Sequence, residues 1–362
     1  MLQKGLEGIV AAQSTISLVD GEKGHLVYRG YWAKELAQKN SFEEIAYLLW
    51  EKRLPDQKEL CEFKEGLKCQ RELTSHEENI LRELPEKMEM MSVIRTIISS
   101  TGTSDYQWPS SREQAIRVSS IIPTIIAKRH RLQQGKSPIK PDMELDHVAN
   151  YLYMLTGSMP LNEHVKALTG YLILTMEHGM NASTFAARVI ASTQSDLISS
   201  LTGAIGAMKG PLHGGAPSGV INLLDQIGSI EHTESCLRQQ LEDGQRLMGF
   251  GHRVYKTQDP RAEALREITL SLATADPWFE LANHVEKIAI QLLEEHKPGR
   301  RLYTNVEFYA AAILRAVSLP PELFTSTFTL SRTIGWIAHI FEQNENNRII
   351  RPSSEYVGPL PV

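Results

Sequence analysis

"SFEEIAYLLWE", residues 41–51, is the stretch at which the apolar residues of this chain change from alternating to helical spacing. Ser41, with Glu44 three residues on, reads as a capping box: hydroxyl and carboxylate satisfy backbone N–H groups that a helix start leaves unpaired. Pro55 closes the run. "TSHEENILREL", residues 74–84, repeats the device with Thr74 and Glu77. Helical runs follow at 112–133, where Pro123 is expected to bend the helix, and at 143–156, 162–177, 182–209, 218–228, 233–244, 260–274, 278–295, 305–317 and 321–344. Strand signals are confined to the beginning, where "GIVAAQSTISLVD" (8–20) and "HLVYRGY" (25–31) flank the turn "GEKG". The expected class is all-α with a short N-terminal β-hairpin.

At 362 residues the chain is long enough for about two domains of ordinary size. Boundaries are weakly marked. The glycine-rich turns near 210–219 and the Pro320-Pro321 pair are the places where the path could leave one body and return, giving a large helical domain from 1–216 and 321–362 and a small one from 217–320. The composition, 42% hydrophobic and 22% charged, is that of a soluble globular protein, and no segment approaches the roughly 18 apolar residues of a membrane span. A net charge of −5, from 38 basic and 43 acidic residues spread along the chain, argues against a basic-patch nucleic-acid binder. Any anionic ligand must then be held by local arginines. The start shows no secretion signal, so the cytoplasm is the expected location. Three cysteines, Cys61, Cys69 and Cys236, without CxxC spacing suit neither a disulfide scaffold nor a zinc cluster.

Four stretches can carry chemistry. "GAMKGPLHGGAPSGV" (206–220) sets His213 among glycines and prolines, a mixture that specifies the shape of a turn and lets its walls approach a neighbour closely. "GFGHRVYKTQDPRAEALRE" (249–267) places His252 after two glycines, with Asp259 as N-cap, Pro260 as first helical residue and Arg261 in the first turn. A cation there opposes the helix dipole and calls for an anion, either a surface carboxylate or a bound ligand. "GFGH" is no dinucleotide fingerprint, because Val254 stands where the third glycine belongs. In "GRRLYTNVEFYAAAILRA" (299–316) Asn305 is the cap and Glu307 lies in the first turn, where the dipole favours its ionised form while Val306, Phe308 and Tyr309 dehydrate it. Ordinary capping is the plainer account of the same residue. Arg332, on a helix apolar around most of its circumference, needs an anionic partner, whether a structural carboxylate or a ligand. No HExxH, GxSxG or P-loop occurs, and no two histidines lie three to five residues apart, so a helical metal site is not expected.

Two imidazoles in rigid turns, one carboxylate and several arginines suit carbon–carbon condensation. The carboxylate takes a proton from carbon, one imidazole stabilises the enolate oxygen, the other polarises an acceptor carbonyl, and arginines hold carboxylates. A helix start beside His213, between helices ending near Lys209 and beginning near Ser218, would keep that ring neutral and able to donate.

"MEHGMNASTF", "GAMKGPLHGGAP", "LMGFGHRVYKTQDPRA" and "YTNVEFYAA", in this order and spacing, resemble the citrate synthase family, and the similarity runs from the hairpin to "RPSSEYVG". The resemblance implies a two-domain, all-α homodimer closing around oxaloacetate and then acetyl-CoA, an acyltransferase with no permanently bound cofactor. It implies His213 on the thioester carbonyl, His252 on the ketone and Glu307 as base. His178, Arg261 and Arg332 would bind oxaloacetate, with Arg351 reaching in from the second subunit. For CoA it points to the backbone of Leu247, Gly249, Phe250 and Gly251 near the adenine and to Lys256, Arg300 and Arg301 for phosphates, each of which is equally well a solvated surface charge. The family's motif has aspartate where Glu307 stands. The extra methylene moves the carboxylate by roughly a bond length, and a misplacement of about 1 Å can cost on the order of 100-fold in rate. Two alternatives remain: a 2-methylcitrate synthase using propionyl-CoA, which differs by one methylene worth about 1–3 kcal/mol, and a non-catalytic oxaloacetate- or CoA-binding homologue on the same fold.

Overall fold

The computed structural model describes residues 3–6, 8–214, 218–252, 254–272 and 277–361. The proposed boundary between 216 and 217 lies outside them. Apart from a three-stranded sheet the regular structure is helical. The strands are shorter than the runs that announced them: Ser17–Asp20 pairs antiparallel with His25–Tyr28 (Ser17↔Tyr28, Asp20↔His25), and Tyr31–Trp32 adds a third strand. Residues 8–16 have a strand-like composition but form no ladder, Ile16 O alone accepting Arg29 N–H (2.9 Å), so they stay irregular.

Both expected capping boxes are present, at Ser41/Glu44 and Thr74/Glu77. Two more close the starts of Gln57–Cys69 (Asp56/Glu59) and Arg112–Gln133 (Ser111/Gln114). The helices Ala33–Lys39, Gln57–Cys69 and Met90–Ser100 were not anticipated. The single run expected over 182–209 is two helices, Ala182–Ser192 and Leu197–Met208. Gln194 turns left-handed (φ 64°) between them, and Asp196 caps the second by accepting from Ser199 N–H. Helix Arg112–Gln133 continues unbroken through Pro123 because burial on both sides outweighs one missing backbone donor. The helix anticipated from 143 starts only at His147: residues 143–145 bend, Asp142 Oδ1 accepts Glu144 N–H (2.8 Å), and Asp146 goes to Lys64 (2.7 Å).

Helix Phe324–Glu345 is the axis of the molecule, buried along most of its length and packed against helices Phe42–Glu51, Arg112–Gln133, Asn162–Met176, Ala182–Ser192 and Leu197–Met208. Each buried aliphatic or aromatic side chain on it contributes roughly 1.5–3 kcal/mol, so packing rather than intrinsic propensity sustains a helix rich in threonine. Two of its polar anchors are indole donors: Trp336 Nε1–H reaches Ser183 Oγ (3.0 Å), and Trp50 Nε1–H reaches Ile334 O (3.0 Å). The hairpin leans over this core. Tyr28 Oη–H donates to Glu177 O (2.8 Å), and Gly21 O accepts from Lys256 N–H (2.9 Å), so one small sheet touches the segments that carry His178 and His252. Among the described residues no helix is long and apolar enough to cross a membrane. The three cysteines are free, Cys61 and Cys69 exposed and Cys236 half-buried.

Candidate active site

A short zip brings His252 and Glu307 to one wall. Phe250 and Thr304 form an antiparallel bridge; Gly251 N–H donates to Tyr303 O (2.7 Å) and Asn305 N–H to Gly249 O (2.9 Å). Gly249 has φ 87°, and a Cβ there would lie 2.9 Å from the Phe308 ring, so the position takes only glycine. Asn305 serves twice. Its Oδ1 accepts Glu307 N–H (3.0 Å), capping helix Val306–Ala316 as expected, and its Nδ2–H donates to Gly251 O (2.9 Å).

Asp259 joins the next pieces. It accepts Arg261 N–H (3.0 Å) as the N-cap of helix Pro260–Leu272, pairs with the Arg261 guanidinium at Nε (3.0 Å) and Nη2 (2.8 Å), and accepts Val306 N–H (3.2 Å) from the Glu307 helix. The anion that Arg261 requires is therefore partly supplied from inside, by its own cap. Both groups are buried, and the pairing holds the guanidinium firmly protonated against the cost of burial.

His252 Nδ1 lies 3.1 Å from the N–H groups of both Val254 and Tyr255, so that nitrogen faces two backbone donors. Nε2 in turn is 3.2 Å from Arg261 Nη2, another donor. Donors thus face both ring nitrogens, two from the backbone at Nδ1 and the guanidinium at Nε2. Burial first, then the Arg261 charge, lowers the His252 pKa to about 4. His178 packs edge-on against that ring (centroids 5.6 Å) and shares a hydrogen bond from Nε2 to Tyr255 Oη (3.1 Å). Burial, Arg261 and Arg332 hold its pKa well below the usual histidine range.

His213 comes from a different direction. Ser183 N–H, in the first turn of helix Ala182–Ser192, points at His213 Nε2 (3.3 Å), and Ser183 Oγ lies 2.7 Å from the same nitrogen. Nε2 is therefore the acceptor, leaving Nδ1 to carry the hydrogen. The helix start that sequence reasoning sought beside His213 exists, but it belongs to this helix and not to the one beginning at Ser218. Burial and the Arg332 charge lower the pKa to about 4. Arg332 itself is buried and donates from Nε to Thr175 O (2.9 Å), with Phe328 beneath its guanidinium (4.7 Å). Among the described residues no carboxylate forms an ion pair with it.

Glu307 moves the other way. Burial raises its pKa, and the opposing charges of Arg261 and Arg246 do not cancel the rise. Of the two effects acting on it, helix dipole and dehydration, dehydration wins. Arg332 thus biases His178 and His213, while Arg261 biases His178, His252 and Glu307, which ties the six groups into one electrostatic neighbourhood.

The remaining candidates lie apart. Arg351 is exposed at the start of a tail that stays irregular and exposed to residue 361, and Lys256, Arg300 and Arg301 are exposed. Leu247 and Phe250 are buried, Phe250 against Phe308 (5.3 Å), so their side chains serve packing. The zip already uses Gly249 O and both polar backbone groups of Gly251. Sequence reasoning missed Tyr255, Ser183 and Glu177. Tyr255 and Ser183 sit inside the quoted motifs, three residues after His252 and two after the cap Asn181, but only the fold shows which histidine each meets.

The family described as "Citrate synthase, C-terminal domain" matches residues 5–353. The chain is 39% identical over 368 residues to "Citrate synthase 2" of Bacillus subtilis (strain 168), covering 98% of this chain and 96% of that protein. It is 37% identical over 363 residues to the "2-methylcitrate synthase" of Mycobacterium tuberculosis (strain ATCC 25618 / H37Rv), covering 99% and 91%. Among solved structures, the ternary complex of carboxymethyl coenzyme A and oxaloacetate with citrate synthase from Thermoplasma acidophilum matches with a TM-score of 0.90 at 30% identity, over 100% of this chain and 97% of that one.

Proposed function

The chain belongs to the citrate synthase family, a family of acyltransferases, and from that premise we propose that it condenses acetyl-CoA with oxaloacetate to give citrate and CoA. The observation that carries the reading is a pair of opposite shifts in one neighbourhood: a carboxyl raised by dehydration beside imidazoles lowered to about 4. Environments that push titratable groups apart in this way assign one as base and the others as neutral donors.

Glu307 takes a proton from the methyl carbon, and the enolate oxygen that forms accepts from His213 Nδ1–H. The enolate carbon then attacks the ketone of oxaloacetate, making the new C–C bond as the thioester C=O re-forms, while His252 Nε2–H donates to the ketone oxygen; that oxygen gains one proton as it becomes a hydroxyl, and the one Glu307 took from carbon goes back to His252. Water cleaves the citryl thioester and releases CoA. Arg261, Arg332 and His178 hold the carboxylates of oxaloacetate, and Arg351 completes the set from the second copy of a cytoplasmic homodimer. Lys256, Arg300 and Arg301 take the CoA phosphates, with the adenine along Leu247–Gly251. The large unit (1–216, 321–362) then carries His178, His213 and Arg332, and the small unit (217–320) carries His252, Arg261 and Glu307, so the cleft between them is the site. The His178–Tyr255 hydrogen bond crosses that boundary.

A second reading, 2-methylcitrate synthesis from propionyl-CoA, is favoured by the 37% identity to a relative of that name. Initial rates of CoA release with each acyl-CoA and oxaloacetate separate the two. Faster release from acetyl-CoA is expected. Faster release from propionyl-CoA would reverse the assignment, and oxaloacetate binding without any CoA release would reduce the protein to a binding homologue.

A further inference from the structure

Glu177 directly precedes His178, is fully buried, and has no part in the steps above. Its Oε1 accepts three hydrogen bonds, from Ser17 Oγ–H (2.9 Å), Gly179 N–H (2.6 Å) and His339 Nε2–H (3.1 Å). The last direction is fixed by Arg188, whose Nη1 lies 3.0 Å from His339 Nδ1: a guanidinium only donates, so Nδ1 accepts and the ring hydrogen is on Nε2. Three donors on one oxygen suit an ionised carboxylate. Among the described residues its Oε2 has no hydrogen-bond partner. Burial alone would raise the Glu177 pKa, but His339, Arg332 and Ser17 outweigh it and hold the carboxyl below the ordinary range.

One face of helix Phe324–Glu345 lies along this turn. Arg332 Nε–H reaches Thr175 O (2.9 Å); a Cβ at Gly335 would stand 2.3 Å from Met176 O and 2.7 Å from Glu177 Oε2; His339 reaches Glu177 Oε1. Positions 332, 335 and 339 share a helical stripe, so a guanidinium, a bare stretch of backbone and an imidazole follow residues 175–177 in step. Gly335 is what lets the carboxylate lie that close to the helix.

We propose that Glu177 is a charge-balancing and positioning residue of the anion pocket: it braces the His178 turn and partly neutralises Arg332, so that the site can release a polycarboxylate as well as capture one. The proposal rests on the reading that Arg332 and His178 bind the carboxylates of oxaloacetate. Citrate has three carboxylates where oxaloacetate has two, and a pocket of unopposed guanidinium groups would hold the product harder than the substrate. A fixed negative charge behind Arg332 weakens both, at a cost in affinity that favours turnover.

Glu177→Gln is the test, because glutamine keeps one oxygen to accept the three donors and removes the charge, with NH2 in place of the unpartnered Oε2. A unit charge several ångströms away at an effective dielectric of about 20 corresponds to a change on the order of tenfold or more. Calorimetry should therefore show oxaloacetate and citrate each binding about tenfold tighter, with KM for oxaloacetate and kcat both lower. The unliganded Tm should fall, and oxaloacetate should raise it by more than in the wild type. Glu177→Asp, which keeps the charge, should return affinity toward wild type. A purely structural role predicts the opposite split, with KM raised and kcat lowered. Unchanged or weaker binding in a folded Glu177→Gln protein overturns the proposal. If that variant does not fold alone, millimolar oxaloacetate should restore its fold, and failure to do so also overturns it. Failure of the wild type itself to bind oxaloacetate or release CoA would instead strike the functional reading, so the two failures are distinct.

Discussion

Glu307 shows how two sequence rules can oppose each other at a single atom. Its place in the first turn of a helix favours the charged carboxylate, whereas burial beside Phe308 and Tyr309 favours the neutral acid, and burial prevails. A carboxylate that is costly to keep ionised in the dry pocket gains more by taking a proton, which is what a base for a carbon acid requires. Glu307→Gln should thus abolish CoA release, by about 100-fold or more given the usual worth of a positioned base, and leave oxaloacetate binding by calorimetry near wild type. Retained turnover would remove Glu307 from the chemistry. The sign of the pH effect follows from the raised pKa. A protonated Glu307 cannot accept a proton, so kcat should fall with acid around a midpoint above the 4.5 of an ordinary glutamate. A pH–rate profile flat through that range would contradict the assignment.

The zip between residues 249–251 and 303–305 decides whether Glu307 and His252 share a chamber at all. Asn305 is its centre, since one side chain both caps the Glu307 helix and ties down Gly251 O. Losing the cap costs about 1 kcal/mol, and leaving a buried carbonyl unpaired adds roughly 1–3 kcal/mol. Asn305→Ala should accordingly lower stability in urea by about 2–4 kcal/mol and reduce kcat more than it raises KM, because the two halves of the site lose register. A kcat at the wild-type level in a destabilised protein would show that the zip only packs. The hairpin is a second such device: through Tyr28 and Gly21 a few strand residues, far away in sequence, steady both the His178 turn and the His252 loop.

At the scale of the whole molecule, the proposed site draws its groups from both of the proposed units, 1–216 with 321–362 and 217–320. Ligand carboxylates that bridge guanidinium groups on the two sides would pull them together. Solution scattering should show the radius of gyration contracting when oxaloacetate is added, and an unchanged profile at saturating ligand would refute the closing cleft. Much of this molecule was legible in one dimension. Helical periodicity and the caps Ser41, Thr74, Asp259 and Asn305 depend on neighbours within four residues, so they could be read along the chain. His213, His252 and Glu307 stood out for the same reason, as polar groups set in local backgrounds of glycine or apolar residues that do not ordinarily hold them. The helix break at Gln194, the partner of Arg261, the helix start that faces His213 and the place of Glu177 were decided only in three dimensions. Each depends on which distant segment supplies a hydrogen bond or a charge, and that choice is made by packing around helix Phe324–Glu345 and not by any nearby residue.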